Sequence, residues 1–294
     1  MEIFGVPSQA LFGQLLIGLI NGSFYALLSL GLAVIFGLLN IINFTHGAQY
    51  MLGAFCAYLL LNNLGIGYWW SLALAPIIVG ITGVIIERTM LSKLYKLDHL
   101  YGLLLTFGLA LIIQGLFRNE FGSSGLPYRI PQELQGAQNL GFMFLPNYRA
   151  WVIVVSLVVC LTTWYVIERT KLGAYLRAAT ENPQLVQAFG INVPRMITLT
   201  YGFGVALAAF AGVMAAPIYQ VNPLMGADLI IVVFAVVVIG GMGSIMGAII
   251  TGFGLGIIEG LTKVFYPEAS NTVIFVIMAI VLMFKPAGLF GTQK

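Results

Sequence analysis

Long apolar runs, separated by short polar segments, extend along almost the whole chain. Within each run the polar and apolar residues do not alternate, so the runs differ from the strands of an outer-membrane barrel. Their lengths are close to the roughly 20 residues with which a helix crosses the hydrocarbon core of a bilayer. The pattern predicts an all-α, polytopic transmembrane helix bundle of about 8 to 9 spans. The candidate spans are residues 10–37, 47–62, 68–86, 100–117, 150–167, 197–219, 228–242, 244–262 and 271–284.

The composition indicates the same class of protein. Of the residues, 60% are hydrophobic and only 8% are charged, whereas a soluble domain is about 45–50% apolar and about 25% charged. A soluble fold could not bury so much apolar surface. No linker divides the chain, so we expect one transmembrane domain over residues 1–294.

The basic residues predict which side of the membrane each loop faces. Residues 87–99 and 168–196 carry clusters of Lys and Arg, and such residues are enriched in cytoplasmic loops. Residues 118–149 balance their charges and are rich in Gly, Pro, Asn and Gln, which indicates an external loop. We therefore expect the N-terminus outside and the C-terminus in the cytoplasm.

Residues 87–98 have the pattern of an amphipathic helix lying on the inner leaflet. One side of this helix would be apolar and the other basic. The apolar side would carry Met90, Leu91, Leu94 and Leu97, and the basic side Arg88, Lys93 and Lys96.

Polar residues interrupt the apolar pattern between the first two spans. Thr45 is a candidate to cap the second helix, because Ser and Thr favour that position. Two interpretations stay open, namely an ordinary capped turn at the membrane surface and the inner end of a transport pathway that touches a partner or a substrate. No metal site is expected, because no Cys, His or carboxylate cluster surrounds either histidine. The polar residues of the turn are Asn43, Thr45, His46 and Gln49.

The segment 168–196 contains a short helix with well-defined ends. Asn182 can cap it, Pro183 suits its first position, and Gly190 can adopt the left-handed conformation just after its last turn. A helix of about two turns is not stable alone in water. It therefore needs a surface on which to pack, either its own membrane domain or a second protein.

Glycines recur at short spacings near the end of the chain. Small residues four positions apart let membrane helices approach closely, so helix packing is their expected role. A phosphate-binding loop is not expected, because no Lys-Ser/Thr pair follows. Glu259 and Lys263 share one helix face in this region and can form an ion pair. The glycines are Gly240, Gly241, Gly243, Gly247, Gly252, Gly256 and Gly260.

The sequence does not indicate an enzyme or a nucleic-acid-binding protein. Nucleophile elbows, paired catalytic carboxylates and metal-binding helices are absent from it. A formal charge of +3 is too small to suggest nucleic acid as a partner. Cys56 and Cys160 both lie in apolar runs, so we expect no disulfide.

The chain resembles the membrane permease subunits of ABC importers for branched-chain amino acids. The resemblance extends over nearly its whole length, and its motifs are specific in their combination, order and separation. They are Asn43-Phe44-Thr45-His46-Gly47, residues 105–114, residues 177–191, Gly240-Gly241-Met242-Gly243-Ser244 and residues 285–291.

The resemblance implies a subunit without a cofactor of its own, in a bacterial inner membrane. Its partners would be the lipid bilayer, a second homologous permease, two cytoplasmic ATPases that bind ATP and Mg, and an external or periplasmic substrate-binding protein. The short helix after Asn182 would be the coupling helix that docks on an ATPase. The expected coupling residues are Arg177, Glu181, Asn182, Pro183, Gln184, Ala188 and Gly190.

The resemblance also implies a translocation pathway at the interface of the two permeases. Polar residues in apolar surroundings are the candidates to line it. Two alternatives stay open for the function, namely a related permease for urea or short-chain amides and a self-sufficient channel or ion-coupled carrier. The candidate pathway residues are Asn43, Thr45, Gln49, Tyr219, Gln220 and Asn222.

Overall fold

A computed structural model describes residues 2–3, 6–39, 43–95, 97–141 and 143–291. In these ranges almost all regular structure is helical, as expected for backbone groups that must be satisfied without water. Two small antiparallel hairpins, β1 (Glu2–Ile3) with β2 (Val6–Pro7) and β3 (Ala137–Asn139) with β4 (Phe144–Pro146), lie outside the helices. The helices are α1 (Ser8–Leu39), α2 (Thr45–Leu64), α3 (Tyr68–Thr89), α4 (His99–Phe121), α5 (Asn147–Arg169), α6 (Lys171–Glu181), α7 (Pro183–Ala188), α8 (Val193–Tyr219), α9 (Ala227–Gly240), α10 (Ile245–Phe265) and α11 (Val273–Phe284).

Each of the nine predicted spans coincides with a helix, but only six helices of the described chain are long and apolar enough to cross a membrane. The all-α polytopic prediction therefore holds, whereas the structure does not support the count of eight to nine spans. α9 and α11, with 14 and 12 residues, are shorter apolar helices. The six candidate spans are Ser8–Gly37, Tyr68–Lys93, His99–Phe121, Asn147–Arg169, Val193–Tyr219 and Ile245–Phe265.

α1 forms the centre of the bundle. In its most apolar stretch 83% of the residues are buried, against 11% in α4. α1 packs against α10, α8, α9 and α5, whereas α4 contacts mainly α2. The outward apolar side chains of α4, such as Leu104 and Leu116, therefore form a surface for lipid or for another membrane helix.

Glycines allow α1 and α10 to pack with their backbones in contact. A Cβ at Gly252, Gly256 or Gly260 would lie less than 3.0 Å from the backbone of α1. Close approach of this kind supplies much of the attraction between helices in lipid. The spacing of these three glycines thus corresponds to the α1–α10 contact.

The glycines before α10 form the turn between α9 and α10 and the contacts beside it. Gly241 and Gly243 have φ of +102° and +91° and lie in the turn between α9 and α10, not in a helix. Left-handed φ values of this kind favour glycine. Gly240, the last residue of α9, lies against Gly247 in α10, so the turn brings the two helices together.

The predicted amphipathic helix over residues 87–98 is wrong. α3 ends at Thr89, and a single 3-10 turn, Leu91–Lys93, follows it. Leu91 is buried while Leu97 is exposed, so the apolar residues do not share a surface. Lys96 lies outside the described residues.

Candidate functional site

Residues 168–196 form the end of α5, then α6, α7 and the first turn of α8. Asn182 Oδ1 accepts a hydrogen bond from the Leu185 backbone N–H at 3.0 Å, and Pro183 is the first residue of α7. Gly190 follows the helix with φ +82°. These local features agree with the pattern in the sequence, and they produce a short helix between two sharp turns.

Few side chains attach α7 to the membrane domain. Val186 is its one buried residue, while Glu181, Gln184 and Ala188 are exposed. Arg177 is directed elsewhere, because its guanidinium donates to the Ile167 carbonyl at 2.8 Å and pairs with Glu168 at 3.4 Å. Arg177 thus holds α6 against the end of α5.

Two exposed apolar residues in this segment were missed by the sequence reasoning. Leu185 is 55% exposed and Phe189 is 78% exposed. They are four positions apart, which places them on one side of the segment. That spacing in an otherwise polar segment was the signal that could have identified them.

A buried carboxylate joins the end of α3 to the first part of α8. Glu87 is only 2% exposed. It accepts hydrogen bonds from the Tyr95 hydroxyl at 2.6 Å and the Thr198 hydroxyl at 2.7 Å. Burial, followed by the contact with this carboxylate, raises the pKa of Tyr95, so its phenol remains a donor. The sequence reasoning missed Glu87 as well.

Three of the predicted pathway residues form a closed hydrogen-bonded cluster at the start of α2. Asn43 Nδ2 donates to Gln49 Oε1 at 3.1 Å, Gln49 Nε2 donates to Thr45 Oγ1 at 3.2 Å, and the Thr45 hydroxyl donates to Asn43 Oδ1. All three residues are buried. Thr45 therefore does not cap α2, contrary to the prediction, because its hydroxyl is bonded to Asn43 and Phe44 occupies the cap position without a side-chain bond.

The other candidate pathway residues separate into two groups. Tyr219 and Asn222 line a cavity of about 280 Å³ between α1, α2, α8 and α9, and Tyr219 donates to Asn21 Oδ1 at 2.8 Å. Gln220 does not line this cavity. It has φ +62°, and its side chain packs against Gly125 of the loop that follows α4.

The same loop is attached to the cavity rim through the backbone. Leu126 and Val221 exchange two backbone hydrogen bonds, at 2.8 and 2.9 Å. Because residues 118–149 are the predicted external loop, this pairing would place the cavity on the external side of the bundle. We refer to it as the outer cavity.

A buried charged network lies beside the outer cavity. The Glu259 carboxylate accepts from the Tyr25 hydroxyl at 2.7 Å and from Asn21 Nδ2 at 3.4 Å, and it pairs with Lys263. Glu259 is only 5% exposed. The charge is compensated within the protein, as expected for a carboxylate inside a membrane domain.

The sequence profile of the family described as "Branched-chain amino acid transport system / permease component" matches residues 14–282. The chain belongs to this family. It is 30% identical over 298 residues to LivH of Escherichia coli and 31% identical over 294 residues to BraD of Pseudomonas aeruginosa, with 96% of this chain and 96% of each relative covered. Both relatives are named high-affinity branched-chain amino acid transport system permease proteins.

A third relative is LivM of Escherichia coli, also named as a permease of a high-affinity branched-chain amino acid transport system. It is 27% identical over 297 residues, which cover 92% of this chain and 68% of LivM. No solved structure matches the chain.

In this permease a single helix, α8, connects the segment around α7 to the outer cavity. α8 begins at Val193, soon after Gly190, and ends at Tyr219 in the wall of the outer cavity. Its 27 residues extend over about 40 Å, since an α-helix rises about 1.5 Å per residue. A displacement of α7 is thus connected to the cavity through a single continuous helix.

The described residues of the permease contain no cluster of three or more His, Cys, Asp or Glu side chains that could hold a metal ion. Cys56 and Cys160 are both free. The polar groups of the two regions form hydrogen bonds and ion pairs, and this chemistry is suited to binding and conformational coupling.

Proposed function

We propose that this permease is the membrane subunit of an ATP-driven importer that carries branched-chain amino acids into the cytoplasm. The match to LivH and BraD over nearly the whole length of each chain is the observation that carries the proposal. The fold agrees with it, since six helices of the described chain are long and apolar enough to cross a membrane, and two of them, α1 and α8, contribute to the wall of a small cavity with polar residues. Residues 1–294 would act as one transmembrane domain, with residues 168–196 as its coupling segment.

Hydrolysis of ATP would take place on two separate cytoplasmic ATPases, which would bind ATP and Mg. α7 supports this division, because it is exposed on every side except that of Val186. The expected docking surface consists of the exposed residues of α7, among them Leu185, together with Phe189 just after the helix. Aromatic side chains of this kind often serve as anchors at the centre of an interface.

A second permease would complete the membrane part of the importer. The similarity to both LivH and LivM, two permease proteins named for the same kind of system in one organism, supports such a pair. An external substrate-binding protein would then deliver the amino acid from the side of residues 118–149. This orientation would leave the N-terminus outside and the C-terminus in the cytoplasm of a bacterial cell.

The structure favours Tyr219 and Asn222 as pathway residues. Both line the outer cavity, whereas Asn43, Thr45 and Gln49 satisfy one another in a buried cluster. We propose that the buried cluster fixes the start of α2 while the outer cavity belongs to the pathway.

Uptake by the reconstituted importer tests the proposed function. The permease, a second permease, two ATPases and a substrate-binding protein should together accumulate leucine, isoleucine or valine in liposomes containing ATP. The permease alone should accumulate none. Uptake of urea in place of amino acids would replace this function with the amide alternative, and ATP-independent uptake by the permease alone would indicate a channel or carrier.

Gly190 provides a test of the coupling segment. Its φ of +82° is unfavourable for side chains other than glycine, while no atom lies within 4 Å of an added Cβ. We therefore expect Gly190→Val to reduce leucine uptake at least about tenfold by rotating α7, because β-branched residues tolerate this conformation poorly. Gly190→Asn should retain most uptake, since Asn adopts left-handed φ more readily. Equal uptake by both variants would contradict a role for the turn.

A further inference from the structure

The lining of the outer cavity includes a tyrosine whose buried hydroxyl has no partner. Tyr50 lines the cavity from α2 and is 0% exposed. Its phenol oxygen has no hydrogen bond to any described part of the protein. Leaving a buried hydroxyl unbonded costs free energy. A polar ligand group in the cavity would remove that cost.

A half-length helix begins at the same cavity. α9 has 14 residues, or about 21 Å, and a helix that short does not cross a core of about 30 Å. Gly226 at its N-cap is buried against Gly47 of α2, and no side chain caps the helix. The N-terminus of a helix carries unpaired N–H groups and partial positive charge. In transporters, half-helices that end inside the bundle present such groups to anionic parts of substrates.

The cavity also has a negative side. Asp228, in the first turn of α9, is exposed and lines the cavity. No Lys or Arg appears among its described lining residues. Glu259 is not available to a ligand in the same way, because Lys263 already pairs with it. Asp228 is therefore the carboxylate that can receive a cationic group.

The lining of the outer cavity also offers hydrogen-bond donors. Asn222 uses Oδ1 to accept from the Leu224 backbone N–H at 3.0 Å, so its Nδ2 group is not used in that bond. Together with the Tyr50 hydroxyl and the N-terminus of α9, this amide forms a set of donors suited to a carboxylate. Phe24, Met225 and Leu229 supply an apolar wall.

The volume limits the size of a ligand. The cavity of about 280 Å³ lies just below the range of about 300–1,000 Å³ that is typical of sites for drug-sized molecules. It therefore fits a small molecule with an anionic end, a cationic end and a short apolar portion.

We propose that the outer cavity is a binding subsite for a zwitterionic, aliphatic α-amino acid. The carboxylate binds at the N-terminus of α9 with Tyr50 and Asn222, and the ammonium group binds Asp228. The aliphatic side chain lies on the apolar wall. The inference rests on the proposed function and deepens it, because it gives the permease a selectivity of its own in addition to that of a binding protein.

Protection of an introduced cysteine tests this subsite directly. We would label Leu229→Cys in the full chain, in membranes, with Cys56 and Cys160 replaced by Ser and Ala. Leucine should slow labelling by a small thiol reagent at least about fivefold, in keeping with a ligand that fills the cavity. Urea should not slow it. Leu224→Cys, which is exposed outside the lining, should label at the same rate with and without leucine.

Additional substitutions test the contacts of the two ends of the ligand separately. Adding Tyr50→Phe or Asp228→Asn to Leu229→Cys should raise the leucine concentration needed for protection at least about tenfold. Tyr50→Phe removes a hydrogen bond to the carboxylate, and Asp228→Asn removes the negative charge that pairs with the ammonium group. Tyr128→Phe is the matched control, since Tyr128 is another buried tyrosine but does not line the cavity. Asp228 is exposed, so its replacement by Asn tests the subsite even if Tyr50→Phe does not fold.

Protection by urea as strong as that by leucine, or protection unchanged by Asp228→Asn, would overturn the subsite. Labelling needs neither ATP nor partner subunits, so its outcome is independent of uptake. Leucine uptake by the assembled importer without protection would refute the subsite alone. Absence of uptake would refute the proposed transport whatever the labelling shows.

Discussion

In the Gly256→Val variant we expect folded permease to be almost absent from the membrane, whereas Gly254→Val should accumulate at the wild-type level. A Cβ at Gly256 would lie less than 3.0 Å from backbone atoms of Gly18 and Gly22 in α1. Backbone cannot move aside as a flexible side chain can. At Gly254, on the same helix, nothing lies within 4 Å of the added atom.

The size of this effect follows from the position of α1 in the bundle. Overpacking a core costs about 1–3 kcal/mol and sometimes more, and the total stability of a protein is only about 5–15 kcal/mol. Displacing α1 also disturbs its contacts with α8 and α9. The yield of monodisperse protein in detergent and its thermal unfolding midpoint would measure the difference. Equal yields for the two valine variants would show that the α1–α10 contact is not what stabilises the bundle.

Helix positions in this permease follow from the sequence because each apolar run satisfies its own backbone inside the membrane. The number of crossings does not follow as simply. α9 is as apolar as a span, but it begins at the buried Gly226 and ends at the turn containing Gly241 and Gly243. Its start depends on the contact between Gly226 and Gly47, which lie far apart in the chain and leave no periodic signal.

The predicted helix over residues 87–98 does not form, because side-chain hydrogen bonds to Glu87 require a different path of the chain. Tyr95 donates to Glu87, eight residues earlier, at 2.6 Å. In a continuous helix residues eight apart are separated by about 12 Å along the axis, so this bond requires the chain to turn back. Thr198, from α8, supplies the second bond that holds Glu87. Neither of these two hydrogen bonds to Glu87 can be predicted from the amphipathic pattern of residues 87–98.

The candidate site also contains features that depend on neighbouring residues and features that depend on contacts between distant segments. The ends of α7 could be predicted, because Asn182, Pro183 and Gly190 act within a few residues of one another. Gln220 could not be assigned, because its side chain packs against Gly125, about a hundred residues earlier in the chain. Local signals are enough to locate the short helix α7, whereas a cavity wall depends on contacts between distant segments.

Phe189→Ala should release the ATPases from the membrane complex and abolish ATP-driven uptake while leaving the permease folded. Phe189 is 78% exposed, and the neighbouring Leu185 is 55% exposed on the same side of the segment. An aromatic ring left in water in this way contributes little to the stability of the free permease. In a docked complex it would act as an anchor worth about 2 kcal/mol or more, which corresponds to about thirtyfold in affinity.

Co-purification of the ATPases with tagged permease would measure the loss, and the elution profile of the permease would confirm its fold. Phe144→Ala is the matched control, because Phe144 is 68% exposed in the predicted external loop. Its replacement should leave the ATPases bound. Full retention of the ATPases by Phe189→Ala would move the docking surface away from this side of the coupling segment. Loss of the ATPases in both variants would indicate a general effect of removing an exposed ring. Loss in Phe189→Ala alone would place the docking contact on this side of the segment, which α8 connects to the outer cavity.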